Sequence, residues 1–161
     1  MDNTSVRKEL DAARKEIEEG DCKIAYSMLL PHIKRKNPEA IFLYSMFSLQ
    51  GEESLEEFER RSFQLLKEAA ELGYPPALYT LGVYYDAGDM VGRDAMKASS
   101  LFKAAAEKGH PRAKLSYGLD LFYGSNGISK DKSLGLDFIR QAADDEVEGA
   151  LEMFDKLSAE S

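Results

Sequence analysis

Residues 77–113 read ALYTLGVYYDAGDMVGRDAMKASSLFKAAAEKGHPRA, and this stretch decides the fold. It holds two amphipathic patterns of helical period, with a Gly-bearing turn between them and a second at its end. The pattern then recurs along the chain. Ala40, Ala77, Ala113 and Ala150 stand about 36 residues apart, within the range of helical repeat arrays. Gly51, Gly88 and Gly124 each follow one of these alanines at the same offset, and Gly73 and Gly109 precede two of them at another.

The residues ALYTLGVYYDAG followed by KASSLFKAAAEKG resemble the SEL-one-like repeat (SLR), a two-helix unit related to the tetratricopeptide repeat. The copy AKLSYGLDLFYG with LGLDFIRQAADD keeps most of that pattern, and AIFLYSMFSLQG with RSFQLLKEAAELG keeps less. The resemblance covers roughly residues 20–160. It implies an all-α fold, a right-handed α-α solenoid of antiparallel helix pairs with about seven helices, and a scaffold whose partner the repeats do not specify. One domain over 1–161 is expected. Within it, 4–36 forms a tetratricopeptide-like pair, 38–72 a degenerate repeat, 77–108 and 113–145 two repeats, and 148–158 a C-terminal capping helix.

Local signals place the boundaries. Gly20 ends a first helix striped by Val6, Leu10, Ala13 and Ile17, and Asp21 is placed to cap the next. Pro31 removes a backbone donor near the end of that second helix, and Lys34, Arg35 and Lys36 complement its dipole. A helix is predicted over 38–50. Ser54 and Glu57 have the spacing of a capping box. Asp94 and Asp131 are placed to cap 95–108 and 132–145. Glu146 breaks the glycine pattern of Gly73 and Gly109. Ala69, Ala70, Ala105, Ala106, Ala142 and Ala143, with Gly82, Gly118 and Ser45, are expected where helices approach closely. Leu66, Phe102 and Ile139 share an offset and are expected as large plugs between them.

The net charge of −8 argues against a phosphate-backbone ligand and favours a basic partner, or simply solubility. Cys22 is the sole cysteine, so no internal disulfide forms, unlike in the secreted cysteine-rich members of the family. The N-terminus lacks the apolar core of a signal peptide, and no apolar run reaches membrane-span length. A cytoplasmic protein with no membrane contact is expected, as a monomer or weak homodimer.

By the family's register, the first helices line a concave groove at Phe42, Met46, Leu49, Tyr79, Val83, Leu115, Leu119, Phe122 and Tyr123. An apolar lining of this kind marks an interaction site, unless so short an array closes or self-associates and buries it. Glu52, Glu53, Glu56, Glu57 and Glu59 suit either a helix start or an acidic rim that selects basic partners.

Nothing points to chemistry. His32 and His110 fall on different units, no Gly-rich phosphate loop or zinc spacing is present, and GSNGISKD lacks the acidic ligands of a calcium loop. Asp86, Asp89 and Asp94 suit a cap and a solvated turn better than a metal site. No cofactor and no catalysis are expected. The leading function is a non-catalytic adaptor that holds a peptide, helix or loop of another protein. A narrower alternative is an immunity-type inhibitor occluding a toxin or effector. A remote one is a hydrolase, suggested by cysteine-rich relatives linked to peptidoglycan-like substrates but lacking here a nucleophile with a base beside it.

Overall fold

The computed structural model describes residues 3–49, 51–88 and 90–160. The described residues form nine helices and no strand, close to the expected number: α1 (Asn3–Glu19), α2 (Cys22–Lys34), α3 (Pro38–Ser45), α4 (Leu55–Glu71), α5 (Pro75–Ala87), α6 (Ala95–Glu107), α7 (Pro111–Tyr123), α8 (Lys132–Asp144) and α9 (Ala150–Ala159). They fall into two compact units, Met1–Ala77 and Leu78–Ser161.

In the second unit, neighbouring helices run antiparallel. Lys114 at the start of α7 pairs with Asp145 just past the end of α8 at 2.6 Å. Lys132 at the start of α8 reaches the carbonyl of Glu160 beyond α9 at 3.3 Å. The approach of α7 to α8 is set by glycine. A Cβ at Gly118 would lie 2.8 Å from Ile139 Cγ1, and one at Gly135 would lie 2.7 Å from both Gly118 O and Phe122 N. A Cβ at Gly82 of α5 would likewise meet the Phe102 ring at 2.7 Å. Phe102 and Ile139 are buried plugs, as their shared offset predicts, and so is Leu66 of the first unit. Ala69, Ala70, Ala105, Ala106 and Ala142 are buried with them, while Ala143 is half-buried. Full burial of such a plug contributes about 1.5–3 kcal/mol.

In the first unit, Leu10 and Ala13 of α1, Ala25 and Leu29 of α2, and Ala40 and Leu43 of α3 form one core. His32 is buried there, with Nε2 2.8 Å from a Glu9 carboxylate oxygen, so it ties α2 to α1.

The helix expected over 38–50 is corrected: α3 ends at Ser45. Gln50 lies outside the described residues. The reason is a competing set of donors from α4. Arg61 donates to the carbonyls of Tyr44 at 3.1 Å and Phe47 at 3.0 Å, and Ser62 donates to that of Ser45 at 2.5 Å. Phe47 and Leu49, freed from the helix, turn into the core.

The cap reading holds at most sites. Ser54 and Glu57 form a capping box, and the side chains of Asp94 and Asp131 accept from Lys97 N and Leu134 N. Asp21 is corrected: it starts α2 without a side-chain cap bond, offering only its carbonyl to Ala25 N at 3.0 Å. Glu146 is not a break in the backbone. Lys36, Gly73, Gly109 and Glu146 occupy one recurring slot and all have positive φ, at 58°, 79°, 86° and 58°. Two side-chain-bearing residues accept the left-handed conformation that glycine takes freely.

Candidate functional site

The expected groove residues lie on the first helices of the repeats, except Met46 and Leu49, which follow the end of α3, and their surroundings divide them into three groups. Leu49 belongs to the core of the first unit. Phe122 belongs to that of the second, where Ile139 and Leu157 pack with it and Leu115 and Leu119 lie half-buried against them. Neither Leu49 nor Phe122 presents a surface, which corrects their placement in an exposed lining. The cause is local in each case: α3 stops early and folds Leu49 inward, while α8 packs on the face of α7 that carries Phe122, where a Cβ at Gly135 would lie 2.7 Å from Phe122 N.

Phe42 and Tyr79 form the second group. They hold the same offset from Ala40 and Ala77, and each meets a ring just before the next first helix. Phe42 lies 5.4 Å from Tyr74, and Tyr79 stacks on His110 at 4.6 Å with planes 20° apart. Tyr79 also lies 5.7 Å from Phe102. These contacts fix where one repeat hands over to the next, a role in packing that the sequence pattern did not assign.

The third group faces solvent. Met46 is 59% exposed, Tyr123 is 56% exposed and Val83 is 38% exposed. Tyr123 stands edge-on to Phe122 at 5.1 Å, so a buried ring supports an exposed one. Each can be touched without displacing the protein's own side chains, Met46 in the first unit and Val83 and Tyr123 in the second.

The acidic residues divide in the same way. Glu53 grips Arg61 with both carboxylate oxygens, at 2.9 and 2.7 Å, and the Arg61 guanidinium lies 4.1 Å over the Tyr44 ring. The hydrogen bond from Arg61 holds the Glu53 carboxyl below its usual range, and burial opposes it only in part. Glu57 is held low by the Ser54 amide of its capping box. Glu52 pairs with Lys23 at 3.3 Å. Glu56 and Glu59 are exposed, and they remain for a rim.

Two polar features escaped the sequence. His110 caps α7: its Nδ1 accepts from Ala113 N at 3.3 Å, as Asn37 Oδ1 accepts from Ala40 N at 3.0 Å in the same slot of the first unit. Burial, with Arg112 nearby, lowers the His110 pKa and favours the neutral ring this bond requires. The signal was the shared slot before Pro38 and Pro111. The second feature is Asp120, buried on α7. Its carboxylate accepts from Ser99 at 2.5 Å, Ser125 at 2.9 Å and Asn126 at 2.8 Å. The spacing of residues 120–126 gave no hint of it, because Ser99 reaches it from another helix.

Asp86 and Asp94 take parts in a turn. The Asp86 carbonyl accepts from Arg93 at 2.9 Å, and Asp94 caps α6; Asp89 lies outside the described residues. Among the described residues, Glu16, Glu19 and Asp21 bring three carboxylates together at the surface, without the closed shell of mixed ligands that marks a metal centre.

A family model described as the Sel1 repeat matches residues 38–74, 75–110 and 111–146. The chain is 30% identical over 105 residues to chitin synthase regulatory factor 3 of Schizosaccharomyces pombe, covering 65% of this chain and 11% of that one. It is 33% identical over 86 residues to protein SHC1 of Saccharomyces cerevisiae, covering 52% and 17%. It thus spans less than a fifth of the length of either relative. Among solved structures, a Sel1 repeat protein from Oxalobacter formigenes superposes with a TM-score of 0.71 at 30% identity, covering 80% of this chain and 95% of that one. The c5321 protective antigen of uropathogenic Escherichia coli, which displays an SLR fold, gives 0.63 at 29% identity over 77% of this chain and 26% of its own. Cysteine rich protein B of Helicobacter pylori gives 0.55 at 22% identity over 78% and 93%, a likeness of fold.

Proposed function

This chain belongs to the Sel1 repeat family, whose members generally mediate protein–protein interaction as non-catalytic scaffolds, and we propose that it is an adaptor whose first helices hold a segment of another protein. The observation that carries this is the exposure of Val83 and Tyr123 on the first helices α5 and α7 in the second unit; in the first unit by itself, Met46 just past the end of α3 is exposed too. Exposed large apolar side chains on the binding helices of a scaffold are anchors for a partner. Leu115, Leu119 and Phe122 lie beneath the contact in the second unit, and Phe42 and Tyr79 shape the helices that present it.

The partner is a basic segment. The net charge of −8 attracts it, and the exposed rim carboxylates Glu56 and Glu59 orient it. The protein works as a monomer in the cytoplasm, where a lone half-buried Cys22 stays reduced. No helix among the described residues is long and apolar enough to cross a membrane. A narrower form, occlusion of a basic effector enzyme as an immunity protein does, uses the same surface and differs in its readout: inhibition of the captured partner's activity.

The test is capture from native lysate with the wild type and with Met46→Glu, Val83→Glu and Tyr123→Ala, singly and together. A partner retained by the wild type and lost at least tenfold by the triple variant supports the proposal. Unchanged capture by a folded triple variant ends it.

A further inference from the structure

The first unit also holds a cleft, between the first half of α1 and the start of α3, at the opposite end of α3 from Met46. Its volume is about 560 Å³, within the range of ligand pockets. Arg7, Lys8 and Asp11 line it from α1 at the spacing of one helical face, and Asn37 and Glu39 line it from the start of α3. One end is shut. Arg14, three residues beyond Asp11, crosses from α1 to Glu39 at 2.5 Å and also donates to the Tyr74 hydroxyl at 3.2 Å. A chain can enter this cleft but cannot run on past the bridge.

The charges that line it are unevenly matched. Glu39 is taken by Arg14. Arg7, Lys8 and Asp11 are exposed, and among the described residues none of the three makes an ion pair. Asn37 gives its Oδ1 to Ala40 N at 3.0 Å, which leaves its Nδ2 free to donate elsewhere. Two cations and an amide donor therefore stand beside one anion, with Arg7 and Asp11 about 6 Å apart along α1. The complement is a carboxylate with a cation a similar distance away. A phosphate dianion would meet Asp11 and Glu39 with like charge. The last residue of a peptide ending in Lys or Arg has both groups. Its terminal carboxylate suits the Arg7 fork and the Asn37 amide, and its flexible stem carries the cation on to Asp11. A free lysine would add an α-ammonium against Arg7 and Lys8, where a peptide has a neutral amide. We propose that this cleft binds the C-terminal residue of a peptide ending in Lys or Arg, with its carboxylate on Arg7 and Asn37 and its side chain on Asp11. The site does not depend on the exposed side chains argued above, and either can fail without the other.

The probe is the synthetic peptide acetyl-Ala-Gly-Ala-Lys with a free carboxylate, titrated into the ¹⁵N-labelled full chain. Amide shifts centred on residues 4–11 and 37–40 are expected. Amidating the peptide's terminus, or Arg7→Gln in the protein, should weaken binding about tenfold, as loss of a charged hydrogen bond does. Asp11→Lys should reverse the choice of last residue: the Lys-ending peptide weakens about tenfold and one ending in Glu binds in its place. A merely structural Asp11 would produce no such reversal. Both substitutions are at exposed positions, and circular dichroism verifies that the variants fold. The proposal is overturned by no shifts at these residues, by an amidated peptide that binds as well as the acid, or by an Asp11→Lys variant that keeps the wild type's preference. Free lysine binding as tightly as the peptide also overturns it, since the ligand would then be an amino acid and not a chain end.

Discussion

The turn after α3 and the turn after α7 follow corresponding first helices, begin at different repeat positions and are fixed by opposite charges. After α3, the helix stops at Ser45 and leaves carbonyls without intrahelical donors, and a cation, Arg61, gathers those of Tyr44 and Phe47. After α7, the helix runs on to Tyr123 and ends at Gly124 with φ 71°, where a left-handed residue closes the last turn. The loop beyond it presents the donors Ser125 and Asn126, and an anion, Asp120, gathers them together with Ser99. Which charge a turn recruits follows from which backbone and side-chain groups its helix leaves unpaired.

The largest effect belongs to the cationic turn. Arg61→Met removes the Glu53 pair and two hydrogen bonds to carbonyls at once, and should cost about 3 kcal/mol in urea unfolding. The same variant sharpens the pH behaviour. Because Arg61 holds the folded-state pKa of Glu53 below its unfolded value, the pair's stabilisation is present above the ordinary glutamate pKa, about 4.3, and is lost as pH falls through the folded value. The wild type should therefore lose stability in acid more steeply than Arg61→Met. Equal slopes would show that the turn holds without the pair.

Next comes the packing beneath the anionic turn. Gly135→Ala drives a methyl to 2.7 Å from Gly118 O and Phe122 N, both backbone atoms that cannot swing aside. About 2 kcal/mol of destabilisation is expected. Its counterpart in the first unit is Ser62, which already carries a side chain, so Ser62→Ala should lose only its hydrogen bond to Ser45 O, about 1 kcal/mol. A reversed order of the two would break the equivalence of the repeats. Asp120→Ala comes between them, since Ser99, Ser125 and Asn126 all lose their acceptor but only Ser99 is fully buried, while Ser125 and Asn126 lie near enough to the surface to find water. A loss of roughly 1–2 kcal/mol is expected, with faster hydrogen exchange confined to residues 120–131.

The same contrast explains what the sequence made legible. Helices α4 to α8 were readable because small residues, plugs and caps recur at fixed offsets, and each has a local physical cause. The early end of α3 was not, because Arg61 lies sixteen residues after Ser45 and its partners are backbone carbonyls, which are the same in every sequence. The candidate site was partly legible for a related reason. Register identified which residues sit on α5 and α7 but carried Met46 and Leu49 past the true end of α3, and Met46, Val83 and Tyr123 do reach the surface. Register did not reveal that α8 covers Phe122, or that Phe42 and Tyr79 are occupied by Tyr74 and His110, since those contacts depend on what each neighbouring element presents.

The smallest effect tests the one slot where the two units share a device and differ only in residue. Asn37 and His110 precede Pro38 and Pro111 with nearly identical backbones, φ −68° with ψ 117° and φ −68° with ψ 118°. Asn37 caps α3 at any pH. His110 caps α7 only while Nδ1 is unprotonated, and burial keeps its folded pKa below the ordinary histidine value. The sign follows: the unfolded chain takes up the proton first, so the cap's stabilisation is complete above about 6.5 and is lost as pH falls through the depressed folded value. His110→Ala should cost about 1 kcal/mol at neutral pH, as loss of a cap does. His110→Asn should keep the cap and flatten the melting temperature between neutral and mildly acidic pH, giving the second unit the pH-independent cap of the first. If His110→Asn melts with the wild type's pH profile, the titrating group lies elsewhere. If it is as unstable as His110→Ala, the stacking on Tyr79 is what holds α7, and the hydrogen bond to Ala113 is incidental.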